Sequence, residues 1–202
     1  MYSENLYDGD VVPVPSQMTK KILEVLSRYS SNDLEHSLRV AKYASLIGHS
    51  LDLSDKEMRL LSEGAFLHDI GKINIPKPIL EKPGHLTQEE RDVIKTHPYE
   101  GYLITSPFYP QEVADIVLLH HASKKMDPYP EDDFINSHII DRNYDILSEK
   151  DTRTLAEIVA LADLFDALLT DRPYKKVYSK SSARDIITEE FSGETGYLEF
   201  IL

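Results

Sequence analysis

Seven of the side chains that break the apolar stripes of this chain form a set of imidazoles and carboxylates: His36, His68, Asp69, His97, His120, His121 and Asp163. His36 falls in line with Val40, Tyr43 and Ile47 at steps of four, three and four, the stripe of a helix that faces a core. His68 continues the stripe of Met58, Leu61 and Ala65, and Asp69 follows it directly. His97 shares a helical face with Val93, Ile94, Gly101 and Ile104, where Gly101 leaves room for another backbone or a ligand. His120 and His121 close the apolar run Val113–Leu119. Neighbours on a helix diverge by about 100°, so two histidines can meet at one site only at a helix end. Asp163 and Asp166 interrupt Leu155–Leu169, which is otherwise apolar nearly all round. A buried carboxylate is costly unless a cation or a hydrogen-bond donor meets it. One such residue reads as a hydrogen-bonded core group, but five helices supplying five histidines and two aspartates match the ligand set of a borderline divalent metal such as Fe, Mn, Zn or Co. Asp166, three residues after Asp163, either orients a ligand histidine from behind or makes a structural hydrogen bond.

These groups need rigid elements, and capping chemistry marks where those begin. The boxes Asn32–Glu35, Ser54–Glu57 and Thr87–Glu90 predict helices over about 33–50, 55–68 and 88–105. Periodicity adds helices at 17–29, 111–121, 153–170 and 180–191, and the alternation that marks strands is missing. The fold class is therefore all-α, a bundle of about six to eight helices with the ligand set at its centre. Residues 1–31 read as a polar leader carrying one short helix, and 32–202 as one domain without repeat or linker. Within it, about 122–150 is an acidic insert with Pro128 and Pro130, long for a connection and so a lid or a partly disordered loop, with a short helix or hairpin around Ser137–Leu147.

Composition narrows the partners. Among 202 residues there is no cysteine, which excludes disulfides and thiolate zinc sites. With 35 Asp and Glu against 22 Lys and Arg, the net charge of −13 disfavours duplex nucleic acid and anionic membrane surfaces. The first residues have neither a basic nor an apolar signal region, and no long apolar run occurs, so a soluble cytoplasmic protein is expected.

The order His36, then His68-Asp69, then Asp163 resembles the HD-domain metal-dependent phosphohydrolases. Phe66–Pro76, Ile79–Thr87, His97-Pro-Tyr-Glu-Gly101, His120-His121 and Ala162–Tyr174 bring the resemblance closer to the HD-GYP subfamily, which hydrolyses cyclic di-GMP. It spans about residues 32–190. By that resemblance, His36, His68, Asp69 and Asp163 hold one divalent ion and His97, His120 and His121 a second, with Asp69 bridging. The ions are expected to be Fe or Mn, with Zn, Ni or Co as alternatives. Two cations about 3.5–4 Å apart can share a hydroxide that attacks phosphorus while they neutralise the phosphoryl oxygens. The resemblance makes Asp69 and Lys72 catalytic and Lys72, Arg172 and Lys175 phosphate contacts, with Arg172 offering a bidentate fork; independently, the ring of Tyr129 can stack on a nucleobase.

The chain departs from the family pattern at Asn32, Ala122 and Pro128 and in the longer acidic insert that follows Pro130. Asn32 stands where members with three metals carry a Glu, so two ions are expected and Asn32 is read as a helix N-cap. Ala122 replaces a Glu after the histidine pair, and Pro128 replaces the Gly before Tyr129, which forces the loop onto another path. The expected activity is a phosphodiesterase that opens a cyclic dinucleotide, cyclic di-GMP first. The alternatives are an HD phosphohydrolase of another nucleotide or phosphoester, and a non-catalytic HD module that binds a nucleotide or a partner protein. The resemblance also implies a signalling partner such as a diguanylate cyclase. His49, His85, His138 and the pair Lys124-Lys125 read as surface groups, Asp171 as a helix-end residue beside Arg172, and Tyr99 and Tyr102 as packing.

Overall fold

Small hydroxyl side chains start most of the helices. The side chain of Ser16 accepts from the Thr19 amide at the head of α1 (Gln17–Tyr29). Ser30 both ends α1, through its amide on Leu26 O, and caps α2 (Ser31–Ser50) by accepting from the Asp33 amide. The expectation for Asn32 is thus corrected: the chain turns helical two residues earlier, and Asn32 lies exposed in the first turn of α2. Ser54 and Glu57 form the expected reciprocal box at α3 (Asp55–Leu67), as do Thr87 and Glu90 at α5 (Gln88–Ile94). A 3-10 turn at Ile70–Asn74 and the one-turn α4 (Lys77–Leu80) lie between them.

The helix expected over 88–105 is two helices. Pro98 has no N–H to give to Ile94 O and its ring crowds that carbonyl, so α5 stops and α6 (His97–Thr105) starts afresh. The next helix, α7 (Gln111–Leu119), ends before the histidine pair, as their convergence requires. α8 (Glu149–Leu169) begins four residues before its expected start because Ser148 caps it and Glu149 and Asp151 fill its first turn. α9 (Lys180–Glu190) and a 3-10 turn at Thr195–Phe200 complete the chain.

This computed structural model describes residues 14–123, 128–131, 147–170 and 177–202, and among them there is no strand. The short element expected around Ser137–Leu147 falls almost wholly outside the described residues.

Four helices, α2, α3, α7 and α8, pack around one core. Val40, Ala44 and Ile47 of α2 meet Leu61, Ala65 and Phe66 of α3, Ile116 and Leu118 of α7, and Ile158, Leu161 and Phe165 of α8, all fully buried. α1 adds Leu23 and Leu26 to the same cluster, and α6 lies on α7 and on the 3-10 turn after α3. That last crossing is set by two glycines: a Cβ on Gly71 would collide with the backbone of His97 and Gly101. Gly101 is therefore a point of close backbone approach. No helix among the described residues is long and apolar enough to cross a membrane.

Candidate metal centre

Three of the histidines sit three residues after a carbonyl that a helix end has set free. The rings of His68, His97 and His120 place Nδ1 2.8, 2.8 and 2.7 Å from the carbonyl oxygens of Ala65, Ile94 and Val117. These contacts make Nδ1 the donor and turn each Nε2, with its lone pair, toward the middle of the bundle. The anchors follow from helix termination at Leu67, Ile94 and Leu119.

The seven expected residues meet there. His36, His68 and Asp69 form one buried group and His97, His120 and His121 another, with the ligand atoms inside each group within 4.8 Å of one another. Asp69 stands between them: its Oδ2 lies 3.6 Å from His36 Nε2 and 3.3 Å from His68 Nε2, while its Oδ1 lies 3.2 Å from His97 Nε2. His97 Nε2 and His120 Nε2 are 3.2 Å apart. Asp163 spans the other side, with Oδ1 3.0 Å from His36 Nε2 and Oδ2 3.9 Å from His121 Nδ1. The donor set fits divalent ions. His68 Nε2 is wholly buried without a hydrogen-bond partner, and nitrogens crowd nitrogens, an arrangement that a bound cation relieves.

Electrostatics agree. Burial works to raise the Asp69 carboxyl, but Lys72 and the histidines outweigh it and hold it well below the usual carboxylate range. Asp163 is held well below that range in the same way, by the His36 hydrogen bond and charge against burial. Burial, with His68 and His97 adding to it, keeps His120 neutral by lowering it well below the ordinary imidazole value. His36 goes the other way: burial opposes its charge, yet Asp163 and Asp166 raise it to about 9.

Asp166 is the partner behind His36. Its Oδ2 lies 2.7 Å from His36 Nδ1, and Arg39 grips the same carboxylate with Nε 2.7 Å from Oδ1 and a terminal nitrogen 3.0 Å from Oδ2. Of the two roles open to Asp166, the geometry selects orientation of a histidine of the centre. The sequence reading missed Arg39, and the legible signal was the matched spacing: Arg39 follows His36 by three residues as Asp166 follows Asp163. It also missed Asp33, one turn before His36 on the same stripe. Lys72 Nζ lies 2.5 Å from Asp69 Oδ2 and 3.5 Å from Asp33 Oδ1. Burial opposes the Lys72 charge, but Asp69 and Asp33 prevail and raise its pKa.

At the rim, the Tyr129 ring lies 4.5 Å from that of His121 and Lys95 Nζ lies 5.7 Å from the Tyr129 centroid. Arg172 and Lys175, like Asp171, Lys124, Lys125 and His138, lie outside the described residues. His49 and His85 are exposed, and Tyr99 and Tyr102 stack on each other while packing against the core.

Comparison with known proteins follows the same outline. The model of the HD domain family matches residues 33–168. A relative named cyclic di-GMP phosphodiesterase response regulator RpfG, from Xanthomonas campestris, is 38% identical over 148 residues, covering 72% of this chain and 35% of its own length. The 3'3'-cGAMP-specific phosphodiesterase 3 of Vibrio cholerae is 31% identical over 172 residues, covering 84% of this chain and 33% of the relative. The chain thus spans about a third of the length of these relatives. The HD domain of the Listeria monocytogenes phosphodiesterase PgpH, solved with cyclic-di-AMP, superposes with a TM-score of 0.60 at 21% identity, over 90% of this chain and 91% of that one. At that identity the likeness is one of fold.

Proposed function

Since the chain belongs to the HD-domain family, we propose that it is a metal-dependent phosphodiesterase acting on a cyclic dinucleotide, with cyclic di-GMP as the substrate. The observation that carries this reading is Asp69, whose two oxygens face two separate histidine groups. In this reading His36, His68, Asp69 and Asp163 hold one divalent ion, and His97, His120 and His121 hold the other, with Asp69 shared. Bound there, the ions supply Lewis-acid charge for the phosphoryl oxygens and lower the pKa of a water for attack on phosphorus.

The protein's own groups position and polarise. Nδ1 anchors on Ala65, Ile94, Val117 and Asp166 keep four imidazoles from turning. Lys72, charged at the edge of the centre, meets a phosphate oxygen, and Arg172 and Lys175 add positive charge for the diester. Tyr129 offers its ring to a nucleobase. The names of curated relatives support the substrate class, including a cyclic di-GMP phosphodiesterase from Xanthomonas. An imidazole and carboxylate set without thiolate suits Fe or Mn, with Zn, Ni or Co as further candidates. A cytoplasmic location and a signalling partner such as a diguanylate cyclase complete the proposal.

Incubation of Fe- or Mn-loaded protein with cyclic di-GMP, followed by chromatography, tests it: linear dinucleotide or mononucleotide is expected, and intact substrate overturns it. A second reading, 3′3′-cGAMP as substrate, is favoured by the Vibrio relative that covers more of this chain. Parallel incubations with cyclic di-GMP, 3′3′-cGAMP and cyclic di-AMP separate the two.

A further inference from the structure

His36 is held differently from the other anchored histidines. His68, His97 and His120 lean on backbone carbonyls, which neither rotate nor ionise, whereas His36 leans on the side chain of Asp166. A carboxylate on a rotatable bond fixes a ring only if it is itself fixed. Arg39 does this with a two-point grip on Oδ1 and Oδ2, the planar fork that guanidinium matches to carboxylate. The pairing is built from parallel spacings on two crossing helices: His36 and Arg39 are one turn apart on α2, Asp163 and Asp166 one turn apart on α8. His36–Asp163 closes the crossing on the side of the centre, and Arg39–Asp166 closes it behind. Asp166 is fully enclosed, while Arg39 is about a third exposed and so reaches it from the surface.

We propose that Arg39 is a positioning residue for one ion only: through Asp166 it fixes the His36 ring and its Nδ1–H tautomer, setting the affinity of the His36–His68–Asp69 position independently of the His97–His120–His121 position. This rests on the two-ion reading above. Among the described residues the side-chain hydrogen bonds of Arg39 and Asp166 run to each other and to His36, so their effect on the His97–His120–His121 group is indirect.

Calorimetric titration of the chelator-stripped protein with Mn²⁺, checked by elemental analysis, tests the role in wild type, Arg39→Gln and Arg39→Lys. Wild type is expected to take two equivalents. In Arg39→Gln one equivalent weakens by about 10–100-fold and the other stays within about twofold. Arg39→Lys, which keeps the charge but not the fork, falls between them. Ring-nitrogen NMR of the Zn²⁺-loaded protein, in which His36 is neutral and the ion diamagnetic, reports the tautomer and is expected to broaden or shift in Arg39→Gln while His97 stays unchanged, which a loss of packing alone does not produce. Equal weakening of both equivalents, or of neither, in folded variants overturns the positioning role and leaves the two-ion reading standing. A wild-type protein that takes no Mn²⁺ overturns both. If Arg39→Gln does not fold, the Arg39→Lys titration decides by the same criterion.

Discussion

The backbone carbonyl of Ile94 accepts its hydrogen bond from the imidazole of His97, at 2.8 Å, because Pro98 cannot supply the amide that a continuing helix would use. One proline thus ends a helix, frees an acceptor and sets the ring of a candidate ligand. The arrangement leads directly to an experiment.

Replacing Pro98 by Ala restores the missing N–H and allows the 88–105 segment to run on as one helix. His97 then loses its anchor. We expect the ion at the His97–His120–His121 group to bind about 10-fold more weakly, with the ion at the other group little changed. Metal titration monitored by calorimetry checks this, and unaltered binding of both ions would count against the anchor.

Asp69→Ala removes the carboxylate that faces both groups. Bound metal is expected to fall below two equivalents and hydrolysis of the cyclic dinucleotide to drop by well over about 100-fold, while helical circular dichroism persists. Full metal content in the variant would contradict the shared position.

Gly71→Ala places a methyl group against the backbone of His97 and Gly101. The 3-10 turn and α6 must part, and overpacking of this kind costs about 1–3 kcal/mol. For a chain of this size that is a fall in thermal midpoint of about 2–12 °C. Asp69 and His97 flank the crossing, so metal affinity is expected to fall with it. Differential scanning calorimetry with and without chelator measures both effects.

On the two-ion reading, protons and metal compete at His36. Its pKa in the metal-free fold stands at about 9, above the ordinary 6.5, so its stabilising contribution is complete below about pH 6.5 and is lost as the pH rises through about 9. A coordinating Nε2 must be deprotonated, so metal uptake near pH 7 releases a proton and weakens as the pH falls. Titrations in buffers of different ionisation heat are expected to show this release. Its absence, together with a pH-independent melting point of the metal-free protein between pH 6.5 and 9.5, would contradict the assignment.

Much of the centre was legible in the chain itself. A histidine on an apolar stripe is a local anomaly, and His36, His68 and His97 could be recognised from their neighbours alone. Serine and threonine caps at Ser54 and Thr87 were legible for the same reason, since a box closes within four residues. The break at Pro98 was equally local and was missed because the stripe through Val93, His97 and Gly101 reads continuously across it. Asn32 was misplaced because two hydroxyl or amide candidates, Ser30 and Asn32, stood within one turn of each other. Only the backbone chooses between such caps: the extended residue is Ser30.

Residue type and spacing determined that the chain is helical and singled out seven imidazoles and carboxylates that interrupt its apolar stripes. Periodicity carries that information because a helix repeats every 3.6 residues regardless of what it packs against. Tertiary structure alone decided which groups share a neighbour. Arg39 and Asp166 are 127 residues apart, Gly71 meets His97 across two elements, and Asp69 faces two groups at once. Those relations depend on the angle and register at which α2 crosses α8 and α6 crosses the 3-10 turn, and such contacts are fixed by the packing of whole faces.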